Sequence, residues 1–192
     1  MCTDHHHGQR RCRCCDAEAR RAARRTTQLR ERGWDGDVDE FYAAGTVQER
    51  AALARTSPAA TFDRSPTVRS ARARRGSLTP DEQATLAADE SPRVRAALAA
   101  NPGAEQDALD ALSADTDKRV REAVARHERT PPDSLYALAT TLDRRRDLSV
   151  ARALAQNSAT PMVALEAIVA NGTTGQASVA QRGLQRRGQN VA

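Results

Sequence analysis

The side chains best suited to chemistry in this chain crowd its first fifteen positions, MCTDHHHGQRRCRCC. Cys2, Cys12, Cys14 and Cys15 are the only cysteines, and His5, His6 and His7 lie between them. Thiolate and imidazole are the ligands of zinc, which takes four of them in a tetrahedron. The cysteines supply that number, and the histidines can replace one or two of them. Arg10, Arg11 and Arg13 favour the thiolate form and offset the charge of a four-thiolate site. Two other readings stay open: a disulfide staple, and an arginine-rich tail whose cysteines hold nothing. Bridges confined to residues 2–15 cannot staple a body of 192 residues, which counts against the staple.

Other stretches narrow the chemistry. WDGDVDEFY at 34–42 contains D-x-D-x-D, but a calcium loop needs Gly at its sixth position and Glu at its twelfth. Those positions are Glu40 and Thr46, so calcium is discarded. Asp35 or Asp37 is expected to cap a short helix, with Trp34, Phe41 and Tyr42 covering the first part of the fold. No nucleophile motif, glycine-rich phosphate loop or metal-protease spacing occurs, so no enzyme is expected. His127 reads as a loop residue and not a base.

Arginine is the second theme: 29 of the 30 basic residues are Arg, with Lys118 the exception. That bias reads either as a use of arginine's phosphate and carboxylate fork or, as preferred here, as a GC-rich genome. Residues 16–32 read as a helix carrying Arg20, Arg21, Arg24 and Arg25, with Leu29 as its only large apolar residue. It serves either as a phosphate grip or as a solvated link. Residues 64–75 hold five Arg and no acid, and residues 177–192 add three more.

These groups need elements to position them. Hydrophobic residues make up 39% of the chain but aromatics only 3%, and alanine fills much of the difference. Such a chain is expected to be all-α with a thin core. No apolar run is long enough to span a bilayer, and the N-terminus lacks a secretory apolar core. A cytoplasmic protein without a membrane partner is expected.

An internal repeat sets the architecture. DRSPTVRSARAR and DESPRVRAALAA begin 26 residues apart, DTDKRVREAVAR follows after another 26, and DLSVARALAQN continues the series. The valines Val68, Val94, Val120 and Val150 mark equivalent positions. Three residues before them stand the N-cap types Ser65, Ser91, Asp117 and Asp147. Three and four residues after them come alanine and, except at Arg72, an aliphatic residue. That is one helical face. Gly76, NPG at 101–103, TPP at 130–132 and TP at 160–161 end these helices. A second helical face follows at Gln83/Leu86, Leu109/Leu112, Leu135/Leu138 and Leu165/Ile168. Upstream, TVQERAALARTSP is a degenerate copy with Thr46 as cap, Glu49 as its partner and Ala52/Leu53 as stripe. The pattern predicts an α-solenoid of about four to five helical pairs. Residues 1–32 form a Cys/His/Arg-rich segment, 33–176 the solenoid and 177–192 a basic cap or fraying tail.

The run DESPRVRAALAANP…LDALSAD resembles the variant leucine-rich repeat over residues 46 to about 170. The resemblance implies a right-handed superhelix pairing α with 3₁₀ helices. It also implies an N-terminal [4Fe–4S] cluster, for which Cys2, Cys12, Cys14 and Cys15 supply the thiolate count. Zinc and no metal remain the alternatives. The expected function is a scaffold for a protein partner. The competing function is nucleic-acid binding through Arg20, Arg21, Arg24 and Arg25 and the Arg69, Arg72, Arg74, Arg75, Arg95 and Arg121 row. Inter-repeat ion pairs offer a structural account of that row.

Overall fold

The computed structural model describes residues 46–54, 57–75, 77–143 and 147–189. Every regular element among them is helical. In chain order these are α1 (Val47–Leu53), a 3₁₀ helix (Pro58–Phe62), α2 (Pro66–Arg75), α3 (Pro80–Ala87), α4 (Pro92–Ala99), α5 (Gln106–Ser113), α6 (Lys118–Arg126), α7 (Pro132–Thr140), α8 (Leu148–Gln156), α9 (Met162–Asn171) and α10 (Thr174–Gln189). No strand occurs among the described residues. The expectations for the cysteine region, for Arg20 to Arg25 and for Trp34, Asp35, Asp37, Phe41 and Tyr42 lie outside them.

Local sequence explains where helices start. Five α-helices, α2, α3, α4, α7 and α9, begin at or beside a proline, whose fixed φ suits the first helical position. α3 has a full capping box: Thr79 Oγ1 accepts from the Glu82 N–H, and Glu82 Oε2 accepts from the Thr79 N–H at 2.9 Å. Of the other expected caps, Asp117 Oδ1 accepts from the Arg119 N–H at 2.8 Å, while Ser91 makes no side-chain cap bond. Instead the aspartate two residues earlier accepts the cap residue's own N–H, at 2.7–2.8 Å from Asp63 to Ser65, Asp89 to Ser91 and Asp115 to Asp117. These turns hold the chain in an extended bend before each helix.

The described chain forms two compact units, one ending at Arg72 and the other beginning at Ala73. In the first, Ala54, Ala60 and Val68 form a small core, with Ala51 and Ala71 against it. The stripe of α1 is displaced from the expected one: Ala52 is exposed and Ala54 is buried. The Glu49 and Leu53 side chains lie outside the description. Where the other copies have a second α-helix, this one has only the 3₁₀ helix, consistent with its lack of a leucine pair.

In the second unit the helices form two layers. α4 packs on α6, α6 on α8 and α8 on α10, while α3 packs on α5, α5 on α7 and α7 on α9. The expected stripes meet between the layers. Val94, Leu98, Val120, Val124, Val150, Leu154, Leu86, Leu109, Leu135 and Leu165 are fully buried. Each such side chain contributes about 1.5–3 kcal/mol on leaving water. Gln83 holds a leucine position yet is buried, because its carboxamide accepts from the Glu105 N–H at 2.8 Å.

Where the resemblance implies 3₁₀ second segments and their length suits true α-helix, α3, α5, α7 and α9 are α-helices of 8 to 10 residues. The expected fraying tail is corrected: residues 177–189 continue α10. Val179 and Ala180 bury against the core, and Gly183 lets α10 lie close on α8. A boundary at 176 therefore cuts a helix. Among the described residues, no helix is long and apolar enough to cross a membrane.

Candidate binding surface

The two layers of the second unit carry opposite charge. α4, α6, α8 and α10 together hold ten basic residues and one acid, Glu122. α3, α5, α7 and α9 hold six acids, Asp81, Glu82, Asp107, Asp110, Asp133 and Glu166, and no basic residue. The segregation is a property of packing, because the two helix types alternate along the chain.

The basic residues divide into two sets. One is used internally. Arg95 Nε and Nη2 donate to the Asp115 carboxylate at 2.6 and 2.9 Å, and its Nη1 donates to the Asp89 carbonyl at 2.7 Å. Arg121 repeats the arrangement: Nη2 lies 2.7 Å from both Asp147 oxygens, and Nη1 donates to the Asp115 carbonyl at 2.7 Å. In the first unit Arg69 Nη1 donates to the Asp63 carbonyl at 2.8 Å, and Arg50 Nε donates to the Asp63 carboxylate at 2.6 Å. Arg95 and Arg121 thus each tie their own helix start to an aspartate in a neighbouring segment.

The bidentate geometry controls ionisation. The hydrogen bond to Asp115 raises the Arg95 pKa, against the desolvation that burial imposes. Burial by itself pushes the Asp115 carboxyl up. The Arg95 hydrogen bond, the Asp117 N–H and the charges of Arg95 and Arg121 outweigh it, so the pKa falls below the ordinary aspartate value.

The other set faces solvent: Arg93 on α4, Lys118, Arg119 and Arg126 on α6, Arg152 on α8, and Arg182 and Arg186 on α10. Arg126 is paired with Glu122. Arg93 and Arg119 precede their valines by one, Arg152 follows by two and Arg126 by six. Offsets of −1, +2 and +6 share one helical face. At the end of this layer α8 and α10 enclose a groove of about 310 Å³ lined by Arg152, Gln156, Val179, Arg182, Gln185 and Arg186.

The residues expected to form a nucleic-acid row are placed unevenly. Arg95 and Arg121 are in the internal ladder. Arg69 and Arg72 are buried, at 9% and 4% exposure, despite their charge. Arg74 is exposed. Arg75's side chain and Arg20, Arg21, Arg24 and Arg25 lie outside the description. The exposed cations of α4 to α10 were missed by reading the arginine that directly follows each valine. The recurring aspartate five residues before the valine was the available signal that this arginine is engaged.

A second ladder joins the segments. Asn101 Nδ2 donates to the Ala73 carbonyl at 2.8 Å, His127 Nε2 lies 2.9 Å from the Asn101 carbonyl, and Asn157 Nδ2 donates to the Ala125 carbonyl at 2.9 Å. The opposite ends of these side chains accept the N–H groups of Gly103, Arg129 and Ala159. His127 is therefore a connector that holds its own turn and its neighbour. Its Nδ1 accepts from Arg129, so Nε2 carries the proton.

Among the described residues no group of three or more His, Cys, Asp or Glu side chains is placed to hold a metal ion. Cys2, Cys12, Cys14, Cys15, His5, His6 and His7 lie outside them. Comparisons of the chain with protein-family models, curated proteins and solved structures find no match.

Proposed function

We propose that this chain is a non-catalytic scaffold of variant leucine-rich repeat type, an α-solenoid that binds an acidic protein partner on its arginine-bearing layer. The separation of charge between the two helical layers carries this reading. Seven exposed cations share α4, α6, α8 and α10, and the internal ladder ties α4 to the start of α6 and α6 to the start of α8. Such a surface steers an acidic partner and fixes its orientation. A protein is favoured over nucleic acid because these four helices carry no aromatic residue for base stacking. Glu122 also places a negative charge within the face.

The test is fluorescence anisotropy with a glutamate-rich peptide and, separately, a DNA duplex of equal charge. Peptide binding that weakens with salt and with Arg93→Gln/Arg119→Gln is the expected outcome. Tighter binding of the duplex, lost in the same variant, overturns it in favour of nucleic acid.

The opening cysteines extend the proposal. A [4Fe–4S] cluster on Cys2, Cys12, Cys14 and Cys15 would order the N-terminus, and the thiolate count supports it. Anaerobically purified protein should then be brown, with about four irons and matching labile sulfide per chain. Stoichiometric zinc or metal-free protein would remove the cluster from the proposal.

A further inference from the structure

The groove between α8 and α10 differs from the rest of the basic layer. Three guanidiniums from two helices converge on one cavity whose lining contains no acid. Like charges gathered this way repel one another, and no acidic side chain of the lining offsets them. Local conflict of this kind, kept in a folded protein, points to a bound counter-charge.

The walls are held in place. A Cβ on Gly183 would lie 3.1 Å from both the Ala155 Cβ and the Ala155 carbonyl oxygen, so α10 approaches α8 backbone to backbone at this point. Arg186 Nη2 donates to the Ala155 carbonyl at 3.3 Å, which orients one guanidinium at the rim. Arg187, next in sequence, turns the other way and donates to the Thr160 and Asn157 carbonyls. Its pKa is lowered, first by burial and then by the charge of Arg186. The positive potential at this end of the molecule is thus felt by a neighbouring group.

We propose that this groove is a binding site for a phosphomonoester dianion. Three guanidinium forks match the three terminal oxygens and double charge of that group better than they match one carboxylate. Gln156 and Gln185 add neutral donors. Val179 is the one apolar residue of the lining. A volume of about 310 Å³ exceeds a bare phosphate and leaves room for the attached side chain or nucleoside.

The inference rests on the scaffold reading only in sharing the same layer, and the test separates them. Isothermal titration uses inorganic phosphate, a phosphoserine peptide, its unphosphorylated parent and a nucleoside monophosphate. Wild-type protein should bind inorganic phosphate and at least one of the two esters, and bind the parent peptide about tenfold or more weakly. Which ester binds better identifies the source of the phosphate. Arg152→Gln/Arg182→Gln should weaken phosphate binding about tenfold or more. Arg93→Gln/Arg119→Gln removes the same charge outside the groove and should leave it unchanged. No phosphate binding by wild-type protein, or equal loss in both double variants, overturns the site. Glutamate-peptide binding that survives in that case leaves the scaffold standing. All four substitutions are at exposed positions, and circular dichroism checks that the variants remain helical.

Discussion

Arg121 Nη2 sits 2.7 Å from each carboxylate oxygen of Asp147, joining α6 to the start of α8. The aspartate side chain is 1% exposed and the arginine 17%. Asp147 also accepts the Asp143 N–H at 2.9 Å, so its carboxylate serves the turn and the neighbouring helix together. Because this carboxylate is spent on Arg121 and on the turn, it does not cap its own helix.

Removing Arg121 leaves a buried carboxylate without its counter-ion. Arg121→Ala should destabilise the second unit by about 3 kcal/mol. Arg119→Ala, two residues away and exposed, should change stability little. Urea unfolding followed by circular dichroism compares the two. Equal midpoints for the two variants would show that the ladder does not support the fold.

The depressed Asp115 pKa sets an acid limit. Its folded value lies below the reference 3.8, so the stability it contributes is complete above that value. It is lost as pH falls through the lowered one. Thermal stability should therefore hold from about pH 7 to about pH 5 and drop below about pH 4. Asp115→Asn should lower stability at neutral pH and flatten the acid drop. An unchanged acid profile in that variant would assign the drop to other carboxylates.

Thr130 and Thr160 occupy equivalent turns and are both buried, at 2% exposure. Thr130 Oγ1 donates to the Val124 carbonyl at 2.7 Å, whereas Thr160 Oγ1 makes no hydrogen bond. Thr130→Val should cost about 1 kcal/mol and leave a carbonyl underused. Thr160→Val removes a hydroxyl that was desolvated without return, and should be neutral or stabilising. Differential scanning calorimetry reads the contrast, and a larger loss at Thr160 would contradict it.

His127 should accept asparagine. His127→Asn keeps one donor and one acceptor, as at Asn101 and Asn157, and should melt close to wild type. His127→Ala removes one of the two hydrogen bonds made to the Asn101 carbonyl, which keeps the Ala104 N–H, and unpairs the Arg129 N–H, and should lose about 1–2 kcal/mol. A variant series of melting temperatures checks the order.

Much of this architecture was legible because helical packing has a short period. Val94, Ala97 and Leu98, with Val120, Val124, Val150, Ala153 and Leu154, are buried and Ala123 partly so, because positions i, i+3 and i+4 lie on one face whatever the surroundings. Prolines and the NPG and TP breaks mark helix ends through local backbone sterics alone. Degenerate stretches were harder. In α1 the stripe shifts to Ala54, and in α10 glycines and glutamines dilute the pattern until docking on α8 reveals the helix.

The sequence by itself determined the all-α class, the phase of the helices and the alternation of basic and acidic segments, since all three depend on neighbours within a few residues. Only the tertiary structure decided what each arginine does. Arg93 and Arg95 stand two residues apart on one helix, yet Arg95 reaches Asp115, twenty residues onward, while Arg93 faces water. That difference comes from which side of α4 its neighbours cover. Stacking alternate helices is also what gathers the cations in one layer and the acids in the other. It brings Arg152 beside Arg182 and Arg186 as well, a juxtaposition set by the close approach at Gly183 and by no local pattern.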